Sequence, residues 1–240
     1  SSDLDGDDQA FGARLEIPSD KLSAYVDLQQ IDDNFRPALG FVNRAGIRQY
    51  RTGMRYRTRP ETGFWRAINH RFDYSLVTDM NDRGLSESLA IEPVGLYSNR
   101  DDYVFLRWTR KKETVRDDFE LFDRLNVPAG DYEFDRYRAE LTTGMQRPVR
   151  FVLAVEDGGF FSGDRLEKHV EVQWRQSAHL FLGVGFTENV VDLPSGSFTS
   201  HLASLRSDIA FNSRWSWSNL IQYDNTADVA AINSRLRYIP

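Results

Sequence analysis

The sequence contains no cysteine, and its 240 residues include only eight prolines and three methionines. The absence of cysteine excludes disulfide bonds and thiolate metal sites. No window of about 18 residues is both apolar and free of charge, which excludes a membrane-spanning helix. It does not exclude a membrane-spanning β-strand, because such a strand needs only about 10 residues, every second one apolar.

The chain also lacks an excess of basic residues, since 30 lysines and arginines stand against 36 acidic residues. We therefore expect no nucleic-acid partner, because proteins that bind phosphate backbones usually carry a basic excess. The N-terminus has neither the basic start nor the apolar core of a signal peptide, and it has no initiator methionine. These features predict a piece of a longer protein.

What the sequence has in abundance is alternation between apolar and polar residues. In segment 165–175 the even positions are apolar except Lys168, and every odd position is polar or charged. Alternate residues of a strand face opposite sides of a sheet, so this pattern predicts one apolar and one ionic face. On this template we predict thirteen strands, at 10–17, 22–31, 46–58, 64–77, 85–97, 101–112, 131–143, 148–157, 165–175, 179–190, 198–211, 214–224 and 229–239.

The lengths of the strands and of their connections favour a membrane protein. Many predicted strands have ten or more residues, whereas strands of soluble sheets typically have about five or six. Short connections are predicted at 18–20, 59–63, 98–100, 146–148, 176–178 and 212–214, and wider ones between them at 32–45, 78–84, 113–130, 157–164, 191–197 and 225–228. Outer-membrane barrels have short turns at one end and longer loops at the other. We therefore predict an all-β fold, a single antiparallel up-and-down transmembrane β-barrel domain over residues 1–240.

Aromatic and charged residues fit the same prediction. Trp65, Trp174, Trp215 and Tyr238 all lie close to a predicted short turn or to the chain end on that side, as expected for the aromatic girdle of a membrane barrel. The polar face carries many charged residues, and in a membrane barrel this face would line the lumen. Four arginines of this face are candidate lumen residues, namely Arg51, Arg55, Arg136 and Arg138.

Three segments carry a resemblance to a known family. They are DNFRPALGFVNRAGIR at 33–48, DLPSGSFTSHL at 192–202 and WSNLIQYDN at 217–225. Together they resemble the C-terminal barrel domain of a bacterial outer-membrane family of unknown function, and the likeness extends from about residue 9 to residue 240. Members of that family usually carry an N-terminal module similar to family-nine carbohydrate-binding domains.

The resemblance implies a β-barrel in a bacterial outer membrane, with the lipid bilayer as its partner. It also implies a membrane platform or pore that handles glycans, small solutes or other surface substrates. Two departures from the family pattern matter. The carbohydrate-binding module is absent from this chain, and family members continue beyond Pro240 into a further strand. Because single-chain bacterial barrels close with an even number of strands, we expect at least one closing strand outside this sequence.

The first wide connection supplies three further candidates, Asn34, Phe35 and Arg36, because loops carry binding sites on barrel scaffolds. The alternative is that Phe35, Leu39 and Phe41 fold this loop back onto the rim or into the lumen. The four histidines have no metal-ligand spacing, and no nucleophile elbow or phosphate-binding loop occurs. The sequence thus predicts no catalytic residues, no metal and no cofactor.

Two other functions remain open at this point. One is a soluble lipocalin-like barrel that binds a ligand in an apolar cavity. The other is an outer-membrane hydrolase with a site in the lumen or on the loops, which would need a constellation that the sequence does not display. The direction in which the apolar face points distinguishes the soluble barrel from the membrane barrel.

Overall fold

The computed structural model describes residues 9–33, 45–121 and 124–239. They form an all-β structure, and within them no helix has the length and apolar character needed to cross a membrane. The strands are β1 (Ala10–Ile17), β2 (Leu22–Ile31), β3 (Ile47–Thr58), β4 (Trp65–Asp79), β5 (Gly84–Ser98), β6 (Tyr103–Val115), β7 (Phe119–Leu121), β8 (Leu125–Val127), β9 (Gly130–Thr142), β10 (Val149–Phe160), β11 (Gly163–Arg175), β12 (Leu180–Leu193), β13 (Gly196–Ala210), β14 (Trp215–Asp224) and β15 (Val229–Tyr238).

Thirteen of these strands form one antiparallel sheet in sequence order, with β6 followed directly by β9. This confirms the predicted all-β class, the number of sheet strands and their order. The strand bounds differ from the predicted ones by at most three residues. The pair β7 and β8 forms a separate two-stranded hairpin. The wide connection predicted at 113–130 is present at 116–129 and contains this hairpin, while β6 extends to Val115.

Two of the predicted wide connections are wrong. Strands β10 and β11 are joined by only two residues at 161–162, and β12 and β13 by two residues at 194–195. Phe161 has a φ of 53° and Gly196 a φ of 141°. Left-handed backbone of this kind turns a strand within two residues, so pairing continues to the tip. Unequal connection lengths are therefore confined to the first half of the sheet.

Alternate connections lie at opposite ends of the sheet because it is an antiparallel meander. We call the end that carries 18–21, 59–64, 99–102, 143–148, 176–179 and 211–214 the turn end. The other end carries the long connections 32–46 and 116–129, and we call it the loop end. Trp65, Trp174, Trp215 and Tyr238 all lie towards the turn end, as predicted, and the rings of the last two are 4.8 Å apart.

The sheet is open. Strand β1 pairs only with β2, and β15 pairs only with β14, so both edges are free within the described residues. The residues of both edge strands are exposed along their whole length. Closure into a barrel is thus not part of the described structure.

The two faces of the sheet have an inverted pattern of burial. Large apolar side chains of the apolar face are exposed, for example Leu106 at 53%, Tyr137 at 61% and Val184 at 55%. On the opposite face, Arg136 is 3% exposed and Glu92 only 1%. A water-soluble sheet buries its apolar face instead. The polar face is therefore the more buried side of this sheet.

Candidate functional site: the polar face of the sheet

A network of ion pairs occupies the polar face of β9, β10 and β11. Arg136 Nε donates a hydrogen bond to Glu156 Oε1, and Arg136 Nη1 donates to the Gly159 carbonyl at 3.2 Å. Gly158, with a φ of 134°, lies directly opposite Arg136. A Cβ added to it would lie 2.3 Å from the Asp135 carbonyl oxygen, so only glycine lets β10 approach β9 this closely.

Neighbouring charges extend this network across three strands. Arg138 Nη2 donates to Glu140 Oε2 at 2.8 Å, and its Nη1 lies 3.4 Å from Glu156 Oε2. Arg165 Nη2 donates to Glu167 Oε2 at 3.1 Å and stands 3.5 Å from Glu156 Oε1. Glu156 thus lies among three arginines, and cations and carboxylates alternate over the centre of the face. This surface therefore presents fixed charges of both signs to any polar group that contacts it.

A second polar cluster surrounds Glu92 on β5. Tyr103 Oη donates to Glu92 Oε1, and Arg107 Nη2 donates to Oε2 at 2.8 Å. The register shifts between Ile91 and Val94 of β5, where Pro93 cannot donate a ladder hydrogen bond. The side chain of Glu92 lies over Gly95, where a Cβ would be only 2.5 Å from Glu92 Oε1. The lack of a side chain at position 95 therefore makes room for the carboxylate. Glu92 therefore points towards β6.

A cavity of about 490 Å³ opens on the polar face near the turn end. Its lining includes Tyr25, Ser23, Arg55, Arg71 and Asp73. A Cβ at Gly53 would lie 2.4 Å from Tyr25 Cε1 and 2.8 Å from Asp73 Oδ1. The absent side chain at position 53 therefore lets the ring and the carboxylate lie over β3.

The predicted candidates fall into three places. Arg136 and Arg138 belong to the ion-pair network, and Arg55 lines the cavity. Arg51 Nη2 donates to Asp27 Oδ1 at 3.0 Å on the adjacent strand. The structure therefore brings Arg136 and Arg138 together but separates them from Arg51 and Arg55. The loop candidates Asn34, Phe35 and Arg36 lie outside the described residues.

Carboxylates at the turn end are held ionised by arginines. Bidentate hydrogen bonds from Arg59, at 2.9 and 2.7 Å, lower the pKa of Asp20 to about 2, and Arg57 contributes further. Asp102 accepts from Arg147 Nε at 2.8 Å and from Nη2 at 2.6 Å, which together with the Gly144 amide lowers the pKa of Asp102 to about 2. Arg147 thereby joins connection 143–148 to connection 99–102.

The hairpin of β7 and β8 covers the polar face at the loop end. Leu125 and Val127 are buried against Val191 and Leu193 of β12 and Phe198 of β13. Ser195 Oγ also donates to the Asn126 carbonyl at 2.9 Å. The hairpin leaves the sheet between β6 and β9 but packs on β12 and β13, so it crosses the width of three strands. It is a lid over this end of the face.

The comparisons with known proteins leave the family open. Neither a protein-family model nor a curated protein matches this chain. Within residues 9–33, 45–121 and 124–239, no group of three or more histidine, aspartate or glutamate side chains is placed to hold a metal ion. The resemblance to the outer-membrane family therefore stays a prediction.

Several functional features were missed by the sequence analysis. Glu92, Tyr103 and Arg107 were not singled out, because the bulge at Pro93 brings them together and a bulge leaves no periodic signal. Arg71 was missed because its position opposite Arg55 depends on the register that connection 59–64 imposes. The lid hairpin consists of two three-residue strands, which are too short to show alternation.

Proposed function

We propose that this sheet is the membrane-spanning wall of a bacterial outer-membrane β-barrel whose polar face lines a path for polar solutes. The observation that carries the proposal is the inverted burial of the two faces. Leu153, Val170 and Val184 are each at least 40% exposed, while the arginines and glutamates opposite are covered. An exposed apolar face of this extent marks a surface for a membrane or for another protein, and the long strands favour the membrane.

The position of charges on the apolar face supports an orientation in the membrane. Ion pairs on this face lie towards the loop end, as in Lys168 with Glu188 at 2.9 Å and Lys112 with Glu87 at 3.3 Å. Towards the turn end this face becomes apolar and ends in exposed tryptophans and tyrosines. We propose that the hydrocarbon layer lies nearer the turn end and that the turn end faces the periplasm.

The apolar face also offers a surface that acyl chains fit. A shallow depression of about 360 Å³ lies against Leu106, Leu153 and Val170. The soluble lipocalin-like alternative requires the apolar face to enclose a cavity, and here that face is the exposed one. Free strand edges cannot lie in hydrocarbon. The proposal therefore requires β1 and β15 to gain partners in the membrane, either from each other or from further strands.

The experiment is cell fractionation combined with gel mobility of unboiled and boiled samples. We expect the native protein in the outer-membrane fraction, with a heat-dependent mobility shift. Val184→Arg places a charge on the apolar face and should abolish the shift, because an arginine facing lipid costs about 2–4 kcal/mol near the bilayer midplane.

The matched control is Gln222→Arg on the polar face, where the uncharged residues Ser204 and Ala231 lie directly opposite. This variant should assemble as the native protein does. Recovery in the soluble fraction, or equal assembly of the two variants, would contradict the membrane assignment, because an exposed valine of a soluble protein tolerates arginine.

A further inference from the structure

Two arginines lie side by side on adjacent strands of the polar face, next to the cavity. Arg55 of β3 lies directly opposite Arg71 of β4. Like charges in this position repel each other and destabilise a strand pair. The other arginines on the polar face of β3 have acceptors, since Arg51 binds Asp27 and Arg57 binds Asp20 and Asn69.

No protein carboxylate neutralises this pair. Over the described ranges, neither Arg55 nor Arg71 has an acidic oxygen within 4.0 Å, and the buried Nε of Arg55 has no hydrogen-bond partner. Glu92 lies opposite Arg71 on β5, but its oxygens accept from Tyr103 and Arg107 instead.

The cavity places other polar groups beside the two guanidinium groups. Asp73 lies on β4 next to Arg71 and forms no ion pair with a described residue. The hydroxyl of Ser23 and the ring of Tyr25 line the same space. Two further acids line the cavity and are paired with arginines, Asp20 with Arg57 and Arg59, and Glu16 with Arg14. The charged lining groups without an ion pair are therefore Arg55, Arg71 and Asp73.

We propose that the Arg55–Arg71 pair binds the carboxylate of a polyhydroxylated monoanion, of the chemical class of a sugar acid. Guanidinium groups bind carboxylates through two parallel hydrogen bonds, which fixes the orientation of the ligand. Asp73 and Ser23 then accept hydrogen bonds from ligand hydroxyls. The two unpaired arginines outnumber the unpaired Asp73, which favours an anion over a neutral sugar, and the acceptors Asp73 and Ser23 favour a ligand with several hydroxyls over inorganic phosphate.

The cavity lies at the turn end of the polar face, beside connection 18–21. Binding requires only the folded sheet. That this site binds solutes on their way through the membrane rests on the proposed function.

The test is a binding titration of the purified, folded protein in detergent with galacturonate, galactose and inorganic phosphate as probes. We expect galacturonate to bind more tightly than either other probe. Arg55→Gln and Arg71→Gln should each weaken galacturonate binding about tenfold to a hundredfold, because each removes hydrogen bonds to a charged group. Both variants relieve like-charge repulsion, so their unfolding transitions should match or exceed that of the native protein.

The control is Arg150→Gln, which removes one charge from the polar face of β10, outside the cavity. Arg150 donates to the Thr143 carbonyl and to Gln173 Oε1, both at 3.2 Å. This variant should bind galacturonate as the native protein does. Equal binding of galactose, tighter binding of phosphate, no binding of any probe, or an equal loss in Arg150→Gln would each overturn the proposal. None of these outcomes depends on whether the protein lies in a membrane.

Discussion

At the scale of single residues, Glu156 is the centre of the ion-pair network. It lies within 3.5 Å of Arg138 and Arg165 and accepts a hydrogen bond from Arg136, whose side chain is only 4% exposed. A covered cation that loses its carboxylate keeps the cost of its desolvation without compensation. The network is consequently sensitive to the loss of this one acid.

We expect Glu156→Gln to lower the free energy of unfolding by about 3 kcal/mol, measured by urea unfolding in detergent. The matched control is Glu16→Gln, which breaks the half-exposed Arg14–Glu16 pair on the edge strand β1. Glu16→Gln should lower the free energy of unfolding by less than about 1 kcal/mol. If both substitutions lower the free energy of unfolding by the same amount, the charges around Glu156 are as well hydrated as those of an exposed surface pair, which would contradict this prediction.

At the scale of elements, the lid hairpin is held by one apolar contact region. Leu125 is 2% exposed and packs on Val191 and Phe198, and Arg124 lies over the Phe198 ring at 4.9 Å. We expect Leu125→Ala to weaken docking of the hairpin by about 2–3 kcal/mol. Tryptic cleavage after Arg124 should then become at least about tenfold faster, because cleavage follows the open population.

Glu120→Ala on the same hairpin is the control, because Glu120 is exposed. Its cleavage rate should equal that of the native protein. Equal rates in both variants would mean that the packing of Leu125 does not hold the lid in place.

Asp102 couples two connections at the turn end. It accepts hydrogen bonds from Arg147, the Gly144 amide and Ser98, and its pKa falls from an ordinary value of 3.8 to about 2. Since the folded state binds the proton less readily than the unfolded state, this stabilisation is complete above about pH 4 and disappears as the pH falls to about 2.

Asp102→Asn should therefore lower the free energy of unfolding at pH 7 by about 1–2 kcal/mol, allowing for solvent screening. The difference from the native protein should shrink as the pH falls from 4 to 2, measured by urea unfolding at each pH. Asp101→Asn is the control, because Asp101 and its partner Arg66 are both about half exposed. A difference for Asp102→Asn that does not change with pH would contradict the role of the ionised carboxylate.

At the scale of the whole molecule, the sequence predicted what depends on alternation and missed what depends on exceptions to it. The alternation in 165–175 correctly predicted β11 and which of its residues lie on the apolar face. A register shift of one residue would have exchanged the apolar and the polar face. Glu92 lies at a bulge and Leu125 in a short hairpin, so neither is part of a long periodic segment. The sequence singled out Arg55 as a candidate. It could not show that Arg55 lacks a carboxylate partner, because that depends on the strand register that places Arg71 opposite it.

The exposed apolar face has a consequence for biogenesis. A protein destined for an outer membrane must first pass the inner one, where export machinery retains long apolar segments as helices. Here the apolar residues are divided among thirteen sheet strands and separated by charged ones, and the mean hydropathy is −0.53. Under the proposed function, these strands would supply the apolar wall of a membrane-spanning sheet, although the sequence has no continuous apolar segment of the length that export machinery retains.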